Sequence, residues 1–264
     1  MTKATRPMNR SPLQKFLLRV LTWFIIAPFM AASTIFFGCI SLLCSFWDKS
    51  GRQQHLCSRL WARTMCWCTL SPVKVVHPEK LRGHSTSVFA CNHLSYMDIP
   101  VVFSRLPYQF RILARYDLFN YPFVGWYLRR SGQVSIDDTN LRSAVAGLLR
   151  GVATLKSGRS LMLFPDGTRA FDGEVRTFLP GAAWMAIRAQ VPIVPLALVG
   201  TYELLPMHTY HLFPHPLMLI VGDPIPTTGL TTADADALTS RLHAAISEMY
   251  YRYHEAAHRT SSPQ

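Results

Sequence analysis

Leu141–Arg169, LRSAVAGLLRGVATLKSGRSLMLFPDGTR, decides the fold class. From Leu141 to Lys156 the apolar residues recur at helical spacing. Leu141, Val145, Leu148, Leu149 and Val152 fall on one face, and Asn140 stands ready as the cap. After Ser157-Gly158 the pattern changes to a short apolar run over Ser160–Phe164, which reads as a strand buried on both faces. The polar turn Pro165-Asp166-Gly167-Thr168-Arg169 ends it. Helix, buried strand and polar loop make the repeating unit of an α/β sheet.

The same alternation extends in both directions. Val73–Val76, Ser87–Cys91, Phe110–Ala114, Gln133–Ile136, Ile193–Val199 and Leu217–Val221 read as strands. Ile99–Leu106, Phe123–Arg130, Gly181–Ala189 and a last segment from about Ala233 to Tyr253 read as helices. The expected fold is α/β, a largely parallel sheet flanked by helices, occupying residues 71–256. Residues 1–10 and a polar tail at 257–264 are expected to be loose.

Residues 1–70 differ in character. Hydrophobic residues form 49% of the 264-residue chain and charged residues 16%, and the apolar excess is local. From Leu21 to Trp47 there is no charged side chain, a length sufficient for a membrane helix. The run is too long for a cleaved signal peptide, so it is expected to be a retained hydrophobic helical anchor. Lys3, Arg6, Arg10, Lys15 and Arg19 precede it, and Lys49, Arg52, Arg59 and Arg63 follow, so charge does not set an orientation. Pro28 and Gly38 interrupt it, leaving both a span and a re-entrant helix on one leaflet open. Segment 51–70 forms a further helix, whose Trp61 and Trp67 lie at the membrane interface or pack on the domain.

The net charge of +12 is compatible with nucleic acid or with an anionic membrane. Basic residues flank an apolar segment and no nucleic-acid motif is present, so the expected partner is the membrane and not nucleic acid. All six cysteines (Cys39, Cys44, Cys57, Cys66, Cys68 and Cys91) precede residue 92 and lack zinc-site spacing. They are expected to be free thiols facing a reducing compartment. The expected location is the bacterial inner membrane, with the catalytic domain on the cytoplasmic side.

Two polar islands carry the chemistry. Asn92-His93-Leu94-Ser95-Tyr96-Met97-Asp98 follows the strand that ends at Cys91. Five residues apart on a straight helix, His93 and Asp98 would point roughly 140° apart. They meet only if His93 sits in the turn before the helix and Asp98 inside its first turns, with Ser95 as a cap. Asp98 would then hold one imidazole nitrogen and leave the other as a base. The competing reading is a helix-capping network without chemistry. Ser95 lacks a Gly-x-Ser-x-Gly elbow, and one His with one Asp cannot build a metal site. The second island, Phe164-Pro165-Asp166-Gly167-Thr168-Arg169, combines a sharp glycine turn with the side chain best suited to grip a phosphate or carboxylate.

Four blocks, in order, resemble the glycerolipid acyltransferase superfamily, notably bacterial 1-acylglycerol-3-phosphate acyltransferases. They are Asn92-His93 through Asp98, Gly132-Gln133-Val134-Ser135-Ile136-Asp137, Phe164 through Arg169, and Val191-Pro192-Ile193-Val194-Pro195-Leu196. The resemblance covers about residues 70 to 226. It implies transfer of a fatty acyl group from a thioester, acyl-CoA or acyl carrier protein, to a lysolipid hydroxyl, with no further cofactor and no metal. By resemblance, His93 is the general base and Asp98 its orienting partner. Asn92, Gly132, Asp166, Gly167, Thr168 and Arg169 are the substrate-binding residues.

The departures cluster where the acceptor binds. The second block ends Ile136-Asp137-Asp138, where Arg usually follows the first Asp. Asp166 replaces Glu, and Leu179 of Phe178-Leu179-Pro180-Gly181 stands in place of Lys. Either Arg142 or Arg176 restores the lost charge and the acceptor is lysophosphatidate, or it is a less anionic lysolipid such as a lyso-ornithine lipid. A catalytically silent lipid-binding relative is the alternative of a different class.

Overall fold

The computed structural model describes residues 11–260 apart from 84, 85, 138, 208 and 210. The chain starts with α1 (Pro12–Leu21), a π-helical turn (Thr22–Ile26) and α2 (Ala27–Cys44), which together form one long helix. A capping box between Ser11 and Gln14 opens it. Pro28 has no amide hydrogen to give to the preceding turn. Directly before it the winding loosens, and the Ala27 N–H reaches back five residues to the Thr22 carbonyl. The helix continues through this turn without ending. The expected tail at 1–10 lies outside the described residues.

After α3 (Arg52–Cys68) come β1 (Val73–Val76), β2 (Val88–Cys91), α4 (Asp98–Arg105), β3 (Phe110–Arg115), α5 (Val124–Arg130) and β4 (Val134–Ile136). Then follow α6 (Leu141–Lys156), β5 (Ser160–Leu163), α7 (Gly181–Ala189), β6 (Ile193–Val199), α8 (Thr201–Leu204), β7 (Leu217–Val221) and α9 (Ala235–Thr260). The final helix therefore runs past Tyr253 to Thr260, beyond the boundary set by its apolar residues alone. Residues 261–264 lie outside the described part.

The strands form a seven-stranded sheet in the order β1-β7-β6-β2-β5-β3-β4. All neighbours are parallel except β6 and β7. Every residue of β6 is buried, consistent with its unbroken apolar sequence. Pro195 sits inside this central strand, where a missing N–H would normally break the ladder. It falls in a gap: β6 meets Ile225 at Ile193 and pairs with β7 only from Leu196 onward. The Pro195 carbonyl still accepts from Gly222 N–H at 2.9 Å.

One core lies on each side of the sheet. The first includes Val152 and Leu155 of α6, Met185 of α7, and Leu238, Leu242, Ile246 and Tyr250 of α9. Those α9 residues are spaced by four, which makes one helical face. The second joins Ala62 and Met65 of α3 to Val101 and Val102 of α4. Helix α6 departs from its expected face. Its buried side is Gly147, Gly151, Val152 and Leu155, while Leu141 is 81% exposed and Val145 and Leu149 also face outward. The glycines let the helix backbone approach β4, since a Cβ at Gly147 would lie 3.1 Å from Ile136. Close approach of that small ridge decides which face is covered.

Helices α2 and α3 pack as a hairpin. Trp61 Nε1 donates to Thr34 Oγ1 at 3.0 Å, and the Phe29 and Trp67 rings meet at 6.4 Å. Ala62, Met65 and Cys66 of α3 are buried on the domain, while Trp67 is exposed.

Candidate active site

Strands β2 and β5 lie side by side with Val88 opposite Leu161 and Ala90 opposite Leu163. Carried past the strand ends, the same offset sets His93 level with Asp166. Both islands thus leave the sheet at the carboxyl ends of adjacent parallel strands, where open α/β sheets form their binding crevices. Backbone and ring contacts join them. Ala170 N–H donates to the His93 carbonyl at 3.1 Å. The His93 and Phe164 rings stack with centroids 4.0 Å apart and planes 15° from parallel.

His93 lies in the turn before α4, and Asp98 is the first residue of that helix. Asp98 is fully buried. Its Oδ2 accepts from His93 Nδ1 at 2.8 Å and from the N–H groups of Leu94 and Ser95 at 2.7 and 2.8 Å. One carboxylate oxygen therefore shapes the turn and fixes the imidazole. With Nδ1 donating to Asp98, the lone pair of the neutral ring is on Nε2. Nε2 has no hydrogen-bond partner among the described residues and is not enclosed. This is the arrangement required of a general base.

Ser95 does not cap the helix as expected. Its hydroxyl donates to the Leu205 carbonyl at 2.9 Å and accepts from Met97 N–H at 3.2 Å, pinning the turn to the segment after α8. Asn92 also has a different position from a substrate-binding one. It is fully buried, its Nδ2 donating to the Leu198 carbonyl and its Oδ1 accepting from Leu198 N–H at 3.0 and 2.8 Å. Both ends of the amide are committed to β6, so Asn92 anchors the base of the loop that carries His93.

In the second island Asp166 is buried, and its Oδ1 accepts from Arg176 N–H at 3.3 Å. Burial, with the nearby Asp98 adding to it, pushes the Asp166 carboxyl up to about 7. Gly167 has φ +72°, in the left-handed region that glycine enters freely. Gly167 and Thr168 are exposed at the turn. The Arg169 guanidinium lies over the Tyr96 ring at 4.4 Å, and burial lowers its pKa from the ordinary arginine value. Its Nε has no partner among the described residues. A half-buried guanidinium with an unpaired Nε, on the turn bonded to the His93 loop, can hold an anion while a neighbouring hydroxyl loses its proton.

A family model described as Acyltransferase matches residues 72–199, the span that holds both islands. The chain belongs to the glycerolipid acyltransferase superfamily. It is 30% identical over 196 residues to a chloroplastic 1-acyl-sn-glycerol-3-phosphate acyltransferase of Arabidopsis thaliana, covering 74% of this chain and 53% of that one. It is 31% identical over 202 residues to the 1-acyl-sn-glycerol-3-phosphate acyltransferase of Saccharomyces cerevisiae, covering 74% of this chain and 66% of that one. The chain thus spans about half the length of the first relative. The fold matches the crystal structure of the 1-acyl-sn-glycerophosphate acyltransferase of Thermotoga maritima with a TM-score of 0.73. That likeness covers 96% of this chain and 98% of the other, at 24% identity.

Within this acyltransferase fold the second block is split between the two ends of the sheet. Gly132 precedes β4 and lies beside the Arg111 side chain at the start of β3, at the end opposite His93. It shapes the turn after α5 and does not join the other predicted binding residues. Asp137 leaves β4 at the same end as His93, and Asp138 lies outside the described residues. Of the two compensating cations, Arg176 is tied to the motif loop through its backbone bond to Asp166, while Arg142 stands exposed in the first turn of α6. Leu179 brings no charge; its side chain lies over Gly167, where a Cβ would meet it at 2.9 Å.

Sequence reasoning did not assign Tyr96 or Phe164 a role. Both lie inside the islands, and each aromatic touches the imidazole or guanidinium of the other island.

Proposed function

We propose that this chain transfers a fatty acyl group from acyl-CoA or acyl carrier protein to the free hydroxyl of 1-acylglycerol-3-phosphate, giving phosphatidate. The observation that carries this reading is the His93–Asp98 pair, with Nδ1 held and Nε2 open. The names of the similar plant and yeast proteins support the substrate class. The acceptor hydroxyl oxygen attacks the thioester carbonyl carbon while its proton passes to Nε2. Collapse of the tetrahedral intermediate forms the ester, breaks the carbon–sulfur bond and releases a thiolate, which takes the proton back from His93. Asp98 steadies the imidazolium between these steps. Arg169, reached by the acceptor phosphate, supplies the charge that orients it.

Both substrates are amphiphiles, and the amino-terminal arm brings the site to them. In this reading α1 and α2 lie along one leaflet of the membrane. Helix α2 packs against α3, which itself packs on the catalytic domain, and a helix so tethered is poorly placed to cross a bilayer alone. Trp23, Phe24, Phe36 and Leu43 on its outer side are exposed and suited to the acyl boundary. Phe46 and Trp126 continue the apolar surface at the far end, where the Arg130 guanidinium lies 4.9 Å from the Phe46 ring centre. The catalytic domain faces the cytosol, a compartment that suits six free thiols.

The deciding experiment offers detergent-solubilised protein labelled acyl-CoA and acyl carrier protein with a panel of lysolipids, and runs His93→Ala in parallel. Lysophosphatidate turnover that disappears in the variant is the expected result. Leu179 favours a second reading, because it places an apolar side chain over Gly167 where the resemblance has a lysine. The panel therefore includes a lyso-ornithine lipid. His93-dependent acylation of that lipid alone would replace the first reading, and silence with every donor and acceptor would overturn both.

A further inference from the structure

Two tyrosine hydroxyls grip alternate residues of the segment that follows Arg169. Tyr202 of α8 donates to the Phe171 carbonyl at 3.0 Å. Tyr250 of α9 donates to the Gly173 carbonyl at 2.8 Å. The contacts come from two elements remote in sequence, and they leave little freedom. Gly173 has φ +76°, and a Cβ there would approach the Tyr202 ring to 2.9 Å. Tyr250 is 1% exposed, and its ring stacks on that of His254. His254 in turn bonds the largely buried Glu203 of α8 at 2.8 Å. This pair ties α9 to α8 directly beneath the gripped segment.

The segment is bounded on both sides by the candidate site. Arg169 and Ala170 precede it, with Ala170 bonded to the His93 carbonyl. Arg176 follows it, with its N–H on Asp166. Neither end is held by a strand or a helix: β5 ends at Leu163 and α7 begins at Gly181. A loop of this length samples many conformations unless contacts along it remove them.

We infer that Tyr202 and Tyr250 are positioning residues that hold residues 171–173 and so set Arg169 and Asp166 for the acceptor phosphate. The inference rests on the proposed reaction only for the identity of the ligand. Tyrosine suits the task because a buried ring fixes the hydroxyl with few rotatable bonds, and each hydroxyl satisfies a backbone group that no regular element reaches. The substrate-facing residues are on the loop, and the groups that hold it are on helices of the scaffold.

The test uses the full chain with Tyr202→Phe and Tyr250→Phe, which keep the rings and remove one hydroxyl each. Loss of one such bond corresponds to about a fivefold change in a local equilibrium. Amide hydrogen exchange of residues 171–176 is expected to accelerate by about that factor in each variant, with exchange in β2, β5 and β6 unchanged. The KM for lysophosphatidate is expected to rise about fivefold, with kcat and the KM for the acyl donor within twofold. Faster exchange with an unchanged acceptor KM would overturn the positioning role, and unchanged exchange would overturn the grip itself. A parallel loss of kcat, both KM values and thermal stability would reduce these tyrosines to a folding role. If Tyr250→Phe does not fold, Tyr202→Phe at the rim gives the same readings. If wild-type protein transfers no acyl group, the reaction fails alone; the inference then stands or falls on whether the Kd for lysophosphatidate rises about fivefold in the variants.

Discussion

The His93 imidazole lies flat on the Phe164 ring, 4.0 Å between centroids, so the residue that opens the second island forms a wall of the first. The contact holds the ring plane while the Asp98 bond fixes its rotation. Phe164→Leu keeps the apolar volume but removes the flat support. Its kcat is expected to fall about tenfold with little change in either KM, as measured by steady-state acyl transfer. An unchanged kcat would show that the Asp98 bond alone orients the base.

His93→Ala removes the proton acceptor. Positioned acid–base groups contribute about 10²–10⁴ in rate, and a loss within that range is expected. Circular dichroism should remain unchanged, since Asp98 keeps its bonds to the Leu94 and Ser95 N–H groups and so still shapes the turn. Asp98→Asn is expected to lose a comparable amount, because the amide oxygen can still accept from Nδ1 and from the Leu94 and Ser95 N–H groups but no longer carries the charge that steadies the imidazolium. A rate profile that keeps its alkaline plateau in Asp98→Asn would contradict this assignment.

Asp166 carries a pH signature in stability. Its folded-state pKa of about 7 lies above the ordinary value near 4. Between these values the folded state holds a proton that the unfolded chain has released, so stability falls as pH rises from about 4 through about 7. Three units correspond to roughly 4 kcal/mol at most. Asp166→Asn removes the titrating group. In urea titrations it should gain on the wild type as pH rises from 5 to 8, and a constant difference would show that the carboxyl is not held neutral.

Asn92→Ala is expected to destabilise the fold by about 2–4 kcal/mol. It leaves the N–H and carbonyl of Leu198 without the partners they now have, inside the sheet. Chemical denaturation measures this directly. A loss below about 1 kcal/mol would show that water or a backbone shift replaces the amide.

Leu141→Gln and Leu149→Gln, made separately, test the exposed ridge of α6. If that face is outward, each should change stability by no more than about 0.5 kcal/mol. A loss of 2 kcal/mol or more would mean that this ridge is buried.

Much of the architecture was legible in the chain because its causes are local. The switch from helical spacing in Leu141–Lys156 to an apolar run at Ser160–Phe164 depends on side-chain period, and period is written in consecutive residues. The His93–Asp98 pair was legible for the same reason, since five residues joined by a turn settle their own geometry. What tertiary structure decided involves residues that no local rule connects. Pairing of β2 with β5, at a register offset of 73 residues, brings His93 level with Asp166. Distant β6 absorbs the Asn92 amide that looked available for substrate. Strand direction sends Gly132 to the opposite end of the sheet from Asp137, although five residues separate them. The face of α6 was misread because burial followed the small glycine ridge that lets backbones approach, and not the larger apolar one. Local periodicity specifies which elements form; the packing of those elements determines which polar groups are already satisfied and which remain free for chemistry.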